Sequence, residues 1–437
     1  MRNPPTKISL VGLHRCALAF FLFGSLVPGL EAQDLNTAAI RLPDTAVQEV
    51  PAKAVDPKGT PSTDDSAVTG QVGFWDNLFS NGSPFFFGLI VGEMYDDNIF
   101  ISPQKTGDFI THVTPTIDFV EGDKTAANAN YFNVVFRPTL FFYQNNPAQN
   151  RQDYFADAIY QHQWTRLTLS LAQRYENLTD PSIDTGNFFK RQIYTTTFSG
   201  SYFVDDKLSV AGSEIQRLSY FPNQAISSTS EWVTDLYALY QIAPKLSLGL
   251  GPRIGFVDIA GAPNQTYQDL LLRLSYQVSE KISLSFEGGG EYRQFEGNPD
   301  RLYPIFDLNA TYTPFDGTAI SLSAYRQEVV SYQEIGDDYV STLIQANFKQ
   351  RFLTDFFFLA AAGYSLNDYE STSSQSSGQN SAAGRRDNYF YLNGGLEWDP
   401  REWLSVSGRY QYSEDDSTFS QNSFNDNQFD LQAAVQF

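Results

Sequence analysis

An all-β, transmembrane, antiparallel up-and-down barrel of about 18 strands is the fold this sequence predicts, with 16 strands as the alternative. Three observations predict it. Segments of about ten residues or more alternate apolar and polar side chains along most of the chain. The connections between them alternate between short and long. No apolar stretch after residue 32 approaches the roughly 20 residues a membrane helix needs, yet aromatic residues make up 15% of the chain.

The chain opens with an export signal. Arg2, Lys7 and Arg15 form a positive start, Cys16 to Val27 is an apolar run broken only by Gly24 and Ser25, and Ala32 is a small residue suited to cleavage. Residues 1–32 are therefore expected to be removed as a signal peptide. Cys16, the single cysteine, goes with them, and Leu13-His14-Arg15 before it lacks the small residues of a lipid-attachment site. The mature chain then has no disulfide, thiolate nucleophile or Cys-ligated metal. The signal carries a net +2, so its loss takes the formal charge from −21 to −23. Such acidity argues against nucleic acid as a partner, because phosphate contacts need clustered Lys and Arg.

Residues 33–83 differ from the rest. Pro43, Pro51, Pro57 and Pro61 stand among many Ala, Thr, Ser and Asp, a composition that cannot build a core and predicts disorder. It is too short for a globular plug. The barrel is placed at 84–437.

From Phe85 the strands follow one another. Phe132, Val134, Phe136, Leu140 and Phe142 alternate with Asn133, Arg137 and Thr139. Leu167, Leu169 and Leu171 alternate with Thr168, Ser170 and Ala172; Leu246, Leu248 and Leu250 with Ser247, Gly249 and Gly251; Ile282, Leu284 and Phe286 with Ser283, Ser285 and Glu287. Successive side chains of a strand point to opposite faces, so each segment has one apolar and one polar face. Short turns are expected at Trp164-Thr165-Arg166, Val204–Lys207, Ala243-Pro244-Lys245, Ser279-Glu280-Lys281, Leu353-Thr354-Asp355 and Asp399-Pro400-Arg401. Long loops are expected at Asn177 to Lys190, Tyr220 to Thr229, Tyr369 to Arg386 and Ser413 to Asp426. Outer-membrane barrels have short periplasmic turns and longer external loops, and an even strand number puts both termini in the periplasm.

The final strand places Phe429, Leu431, Ala433, Val435 and Phe437 on one parity and Asp430, Gln432 and Gln436 on the other. Ending on an aromatic, it resembles the sorting signal of bacterial outer-membrane barrels, with Phe429, Leu431, Val435 and Phe437 as the membrane-insertion signal. A soluble two-sheet sandwich would alternate similarly. Against it stand a polar face rich in Ser, Gly and Thr, and aromatics close to the turns: Trp164, Phe203, Phe356, Trp398 and Trp403. Aromatic girdles at both interfaces belong to membrane barrels.

The polar parity carries the candidate lumen-lining residues Arg137, Arg174, Arg217, Arg253, Arg273, Arg293, Lys349, Arg409, Glu287 and Asp307, with Asp235, Asp269, Glu291 and Glu397 beside them. One reading makes them ion pairs that keep a polar lumen rigid. The other makes them the wall of a water-filled path, its arginines binding anionic groups bidentately and Tyr143, Tyr237 and Tyr303 offering stacking faces to sugars. No catalytic residue is expected: beyond the signal only His112 and His162 remain, each read as a structural strand residue. No cofactor or metal is expected, and Asp96-Asp97-Asn98 and Asp415-Asp416 read as solvated loop.

Gly88-Leu89-Ile90-Val91-Gly92-Glu93-Met94-Tyr95-Asp96-Asp97-Asn98-Ile99-Phe100, followed by Asp108-Phe109-Ile110-Thr111 and Val113-Thr114-Pro115, resembles the opening of the β-barrel porin 2 family. The later hairpin rhythm is similar too. The resemblance implies an outer-membrane location and, because similar barrels occur in exopolysaccharide gene clusters, passage or export of a polysaccharide, an anionic one included, or of small solutes. It supplies no catalytic residues and does not account for residues 33–83. The partners expected are outer-membrane lipid, the barrel-assembly machinery and polysaccharide export components. The competing expectation is a non-conducting structural or adhesive barrel that works through its external loops.

Overall fold

The computed structural model describes residues 84–437 apart from 125–127, 184–186, 223–227, 297, 332–336, 372–383, 402 and 437. The expected signal peptide, the Pro-rich segment and Phe437 lie outside the described residues.

Eighteen strands follow one another: β1 (Phe85–Asp96), β2 (Asp108–Gly122), β3 (Ala129–Tyr143), β4 (Arg151–Gln163), β5 (Leu167–Ser182) and β6 (Asn187–Phe203). Then come β7 (Leu208–Tyr220), β8 (Thr229–Ala243), β9 (Leu246–Ile259), β10 (Gln265–Ser279), β11 (Ile282–Phe295) and β12 (Arg301–Tyr312). The wall ends with β13 (Thr318–Val330), β14 (Asp337–Leu353), β15 (Phe356–Ser371), β16 (Arg386–Arg401), β17 (Leu404–Ser417) and β18 (Phe424–Gln436). Every strand pairs antiparallel with its neighbours in sequence, and β1 pairs with β18 from Gly88↔Gln436 to Asp96↔Gln428, so the sheet closes on itself. Closure leaves no unpaired edge, the condition for a sheet to sit in lipid.

The alternation decides which face is which. On β18, Phe429 and Leu431 are 56% and 63% exposed, while Asp430 and Gln432, which alternate with them, are buried. Leu302, Ile254, Leu270 and Leu396 are likewise exposed, so the apolar parity faces outward around the ring. An exposed apolar belt of this extent has no place in water, and it matches the lipid-facing band of a membrane barrel. Trp164, Trp398 and Trp403 stand on it near the short turns, with Phe356 stacked on Trp398 at 5.7 Å between centroids. Phe203 departs from the expected girdle. It pairs with Ser209 on the inward parity, and its neighbour Tyr202, paired with Val210, faces out.

Short turns join the strands at one end, where β1 begins and β18 finishes. Several of these turns carry a register shift, between Gln241/Ala243, Gln277/Ser279, Arg351/Leu353 and Trp398/Arg401. The last places the turn after Arg401 rather than at Asp399–Arg401. At the other end, the stretch expected as a long loop from Asn177 to Lys190 is mostly strand. β5 and β6 run on in register to Ser182↔Asn187, where Phe188 packs on Phe100 and Phe189 on Phe221. β17 likewise continues to Ser417, leaving a loop of 418–423.

Candidate functional site: the lumen and its two inward hairpins

The inward face is built from charged pairs that the register brings side by side. On the β7–β13 side, Arg217 Nη1 lies 3.0 Å from Glu231 Oε2, and Tyr267 donates to Glu231 Oε1 at 2.9 Å. Arg253 Nε meets Asp269 Oδ2 at 2.5 Å, and Arg273 meets Glu287 at 2.5 Å while stacking 3.8 Å above the Tyr237 ring. Arg293 Nε contacts Glu291 at 2.7 Å and Glu328 at 3.4 Å, and its Nη1 donates to Gln265 Oε1 at 2.9 Å. Asp307 accepts from Asn309 Nδ2 at 2.5 Å.

Elsewhere, Arg174 pairs with Asp157 at 3.2 Å, and the Phe155 ring lies 5.4 Å from its guanidinium and 4.6 Å from that of Arg137. Lys349 pairs with Glu397 at 3.0 Å across two strands. Arg409 makes no hydrogen bond or ion pair among the described residues. The ten candidate residues thus share the inward parity, most of them held by a partner rather than aimed freely into a path. Tyr237 and Tyr143 are buried and offer no open face for stacking; Tyr143 accepts from Arg151, and Tyr303 donates to Glu370 at 2.9 Å.

Two hairpins bend into the lumen at the long-loop end. The end of the β5–β6 hairpin reaches the wall five to seven strands from β5 around the ring: buried Ile183 packs with Ile101, Tyr389, Tyr391 and Phe424, and Arg385 Nη2 donates to the Ile183 carbonyl at 2.9 Å. Arg385 is itself 1% exposed, held by Asp387 at 2.5 Å and stacked 4.5 Å over Tyr369. Phe188 rests against Phe100, and Phe189 against Phe221, each at 5.7 Å. The sequence reading missed Arg385, which looks like the basic end of a polar loop; only the adjoining Asp387 on the inward parity hints at its role.

The β13–β14 tip bends in from the other side. The β12–β13 ladder stops at Phe306↔Arg326, whereas β13 and β14 stay paired to Val330↔Asp338. Beyond that break Val330 packs on Val257, Ile259 and Tyr267, Glu328 approaches Arg293, and Gln265 donates to Asp338 at 3.2 Å. Between the tip and the wall a cavity of about 30 Å³, lined by Arg217, Glu231, Arg293, Glu328 and Val330, has room for a water. Over the break, Arg301 bonds Glu370 of β15 at 2.9 Å. Below the tips, Tyr237, Leu239, Leu271 and Ile305 form an apolar cluster on the inward parity.

The Tyr95–Asn98 motif is structural, not a solvated loop. Asp96 accepts from the Asn98 backbone at 2.7 Å and from Gln428 at 3.1 Å, and Asn98 Nδ2 donates to the Asn425 carbonyl at 2.9 Å. Asp108 of the same region accepts from the backbone and side chains of Asn145 and Asn146, clamping the β3–β4 loop. Among the described residues no cluster of three or more His, Cys, Asp or Glu is arranged to hold a metal ion.

No family model matches the chain, and no curated protein matches it in sequence. Solved structures do. The outer membrane protein OpdK of Pseudomonas aeruginosa aligns at 10% identity and a TM-score of 0.45, covering 81% of this chain and 99% of that one. OprD of Pseudomonas aeruginosa aligns at 12% and 0.42, covering 81% and 95%. OccAB4 of Acinetobacter baumannii aligns at 11% and 0.43, covering 81% and 98%. The likeness is one of barrel architecture alone.

Proposed function

We propose that the protein is a channel of the outer membrane, its short-turn end and both termini in the periplasm, passing small polar or charged solutes through a narrowed lumen. The observation that carries this reading is the closed ring of 18 strands with an apolar exterior and an inward face of paired charges. The motif resemblance to the β-barrel porin 2 family points the same way. Small solutes suit the lumen better than a polysaccharide, since a polymer needs an unobstructed bore and two hairpin tips lean across this one. The arginines do not form a free anion ladder. Arg217, Arg253, Arg273 and Arg293 each have a carboxylate at hand, Arg293 has a second in Glu328, and Asp235 and Asp307 stand beyond these pairs, which favours cations. Arg409, half-buried on the inward parity and without a hydrogen bond or ion pair among the described residues, is a basic group that could meet an anionic part of a solute.

The second reading, a silent structural barrel acting through its outer loops, is favoured by the buried apolar cluster at Tyr237, Leu239, Leu271 and Ile305 inside the ring. Single-channel recording of the refolded chain in a planar bilayer separates the two. Stable open steps with cation preference support the channel. A folded, inserted and silent barrel supports the structural reading.

A further inference from the structure

The outward face is apolar at mid-height on most strands, but not on β5 to β8. There the register sets Gln173 beside Thr196, Thr196 beside Gln216, and Glu214 beside Thr234, five polar residues adjacent across four consecutive strands. All five share the outward parity with Leu171, Phe198, Leu218, Trp232 and Leu236, which are exposed. They sit within the outward face between the aromatics Tyr194 and Trp232 on one side and Tyr202 and Tyr240 on the other, Gln216 level with Trp232 and Glu214 one row below it. Toward the long-loop end other charged side chains share the outward parity, among them Asp368, Arg386 and Glu414; lower on the wall stand Glu93 beside Thr111 at 2.6 Å and Arg326 beside Thr342 at 2.7 Å, each as an isolated pair. At mid-height, among the described residues, the β5–β8 group alone extends over several strands.

Polar groups facing hydrocarbon are costly unless something bonds them, and a carboxylate is the most costly of them. Within the patch Thr196 donates to Gln173 at 2.7 Å and Thr234 donates to Glu214. Glu214 keeps spare acceptor capacity, and the Gln216 amide has no hydrogen-bond partner among the described residues. An acyl chain supplies neither a donor nor an acceptor. A second copy of the same wall supplies both, its Gln216 amide for Glu214 and its Glu214 for Gln216, with the contact reciprocal as a symmetric interface requires. Ala156, Ala158, Gly200, Gly212 and Ala238 on the same parity let two walls approach closely.

We infer that the β5–β8 wall is a self-association surface, on which a second copy of this chain satisfies Glu214 and Gln216 within the membrane. The inference rests on the membrane reading above. The test is disulfide capture in lipid bilayers. In a Cys16→Ser background an introduced thiol is the only one, so Thr196→Cys and Gln216→Cys are oxidised separately, with Leu322→Cys on the far wall as control. At least one patch variant should form a covalent pair in high yield and the control should not. The Glu214→Leu/Gln216→Leu double variant should fold, insert and run as a monomer by native mass measurement, losing at least tenfold of its association. Heat-shifted gel mobility reports insertion. Failure to insert overturns the membrane reading and this inference together. Insertion without capture, or a double variant that still associates, overturns this inference alone.

Discussion

His112 Nε2 lies 2.9 Å from Asp430 Oδ1, across the backbone of β1 at Gly92. The backbones of β2 and β18 do not pair with each other; β1 stands between them, with Gly92 opposite both His112 and Gln432. A Cβ at Gly92 would lie 2.3 Å from His112 Nε2 and 2.9 Å from Gln432 Cβ, so glycine is what lets the pair form over the seam where the barrel closes.

The seam is expected to weaken when either element changes. His112→Ala leaves Asp430 buried without its partner and should cost about 1–3 kcal/mol, and Gly92→Val should cost at least as much by forcing the ring aside. Both would appear as earlier loss of heat-resistant gel mobility. Unchanged melting of both variants would show that the pair is incidental.

Arg385→Ala should release the β5–β6 tip. The guanidinium is buried and shared between Asp387 and the Ile183 carbonyl, so truncation should cost about 3 kcal/mol of local docking. In bilayer recordings the expected result is larger or noisier open steps. Retained global melting would localise the effect to the tip.

Charge selectivity should follow the lumen pairs. Arg253→Ala removes the partner of Asp269 and one neighbour of Glu287, leaving carboxylates unbalanced. The reversal potential in a salt gradient should shift further toward cations, and Glu287→Gln should move it the opposite way. Arg409→Ala should weaken block by a small carboxylate with little change in conductance.

Asp97, in the loop beyond β1, gives a pH dependence. Partial burial pushes its carboxyl up, but hydrogen bonds from Lys105 Nζ and from Asn427 outweigh that and hold it below the ordinary carboxylate range. A depressed value in the folded chain means that the stabilisation is present near neutrality and lost as pH falls through the acid range. The pair is partly solvated, so about 1 kcal/mol is involved. Proteolysis within residues 97–107 should quicken on acidification, and Asp97→Asn should flatten that dependence.

Much of this was legible in the sequence. Alternation, with turns at Trp164–Arg166 and Ser279–Lys281, is enough to set the up-and-down topology and the face most residues take, because a strand has a period of two, while the strand number stayed at about 18 or 16. The inward parity of Arg253, Glu287 and Asp307 follows from that period alone. What parity does not carry is reach. Whether Arg253 meets Asp269 or stands free depends on the stagger between β9 and β10, and whether Asn177 to Lys190 is a loop or a strand extension depends on surfaces up to seven strands away.

The sequence by itself therefore determined a succession of strands with one apolar and one polar face, since that property belongs to each strand taken alone, whereas closure of β1 on β18 is a tertiary contact. The tertiary structure decided how open the barrel is. The β5–β6 and β13–β14 tips lean inward only because Arg385, Tyr389 and Phe424 on one wall, and Val257, Tyr267 and Arg293 on another, are there to receive them. Contacts of that kind join residues far apart in the chain, and no local pattern encodes them.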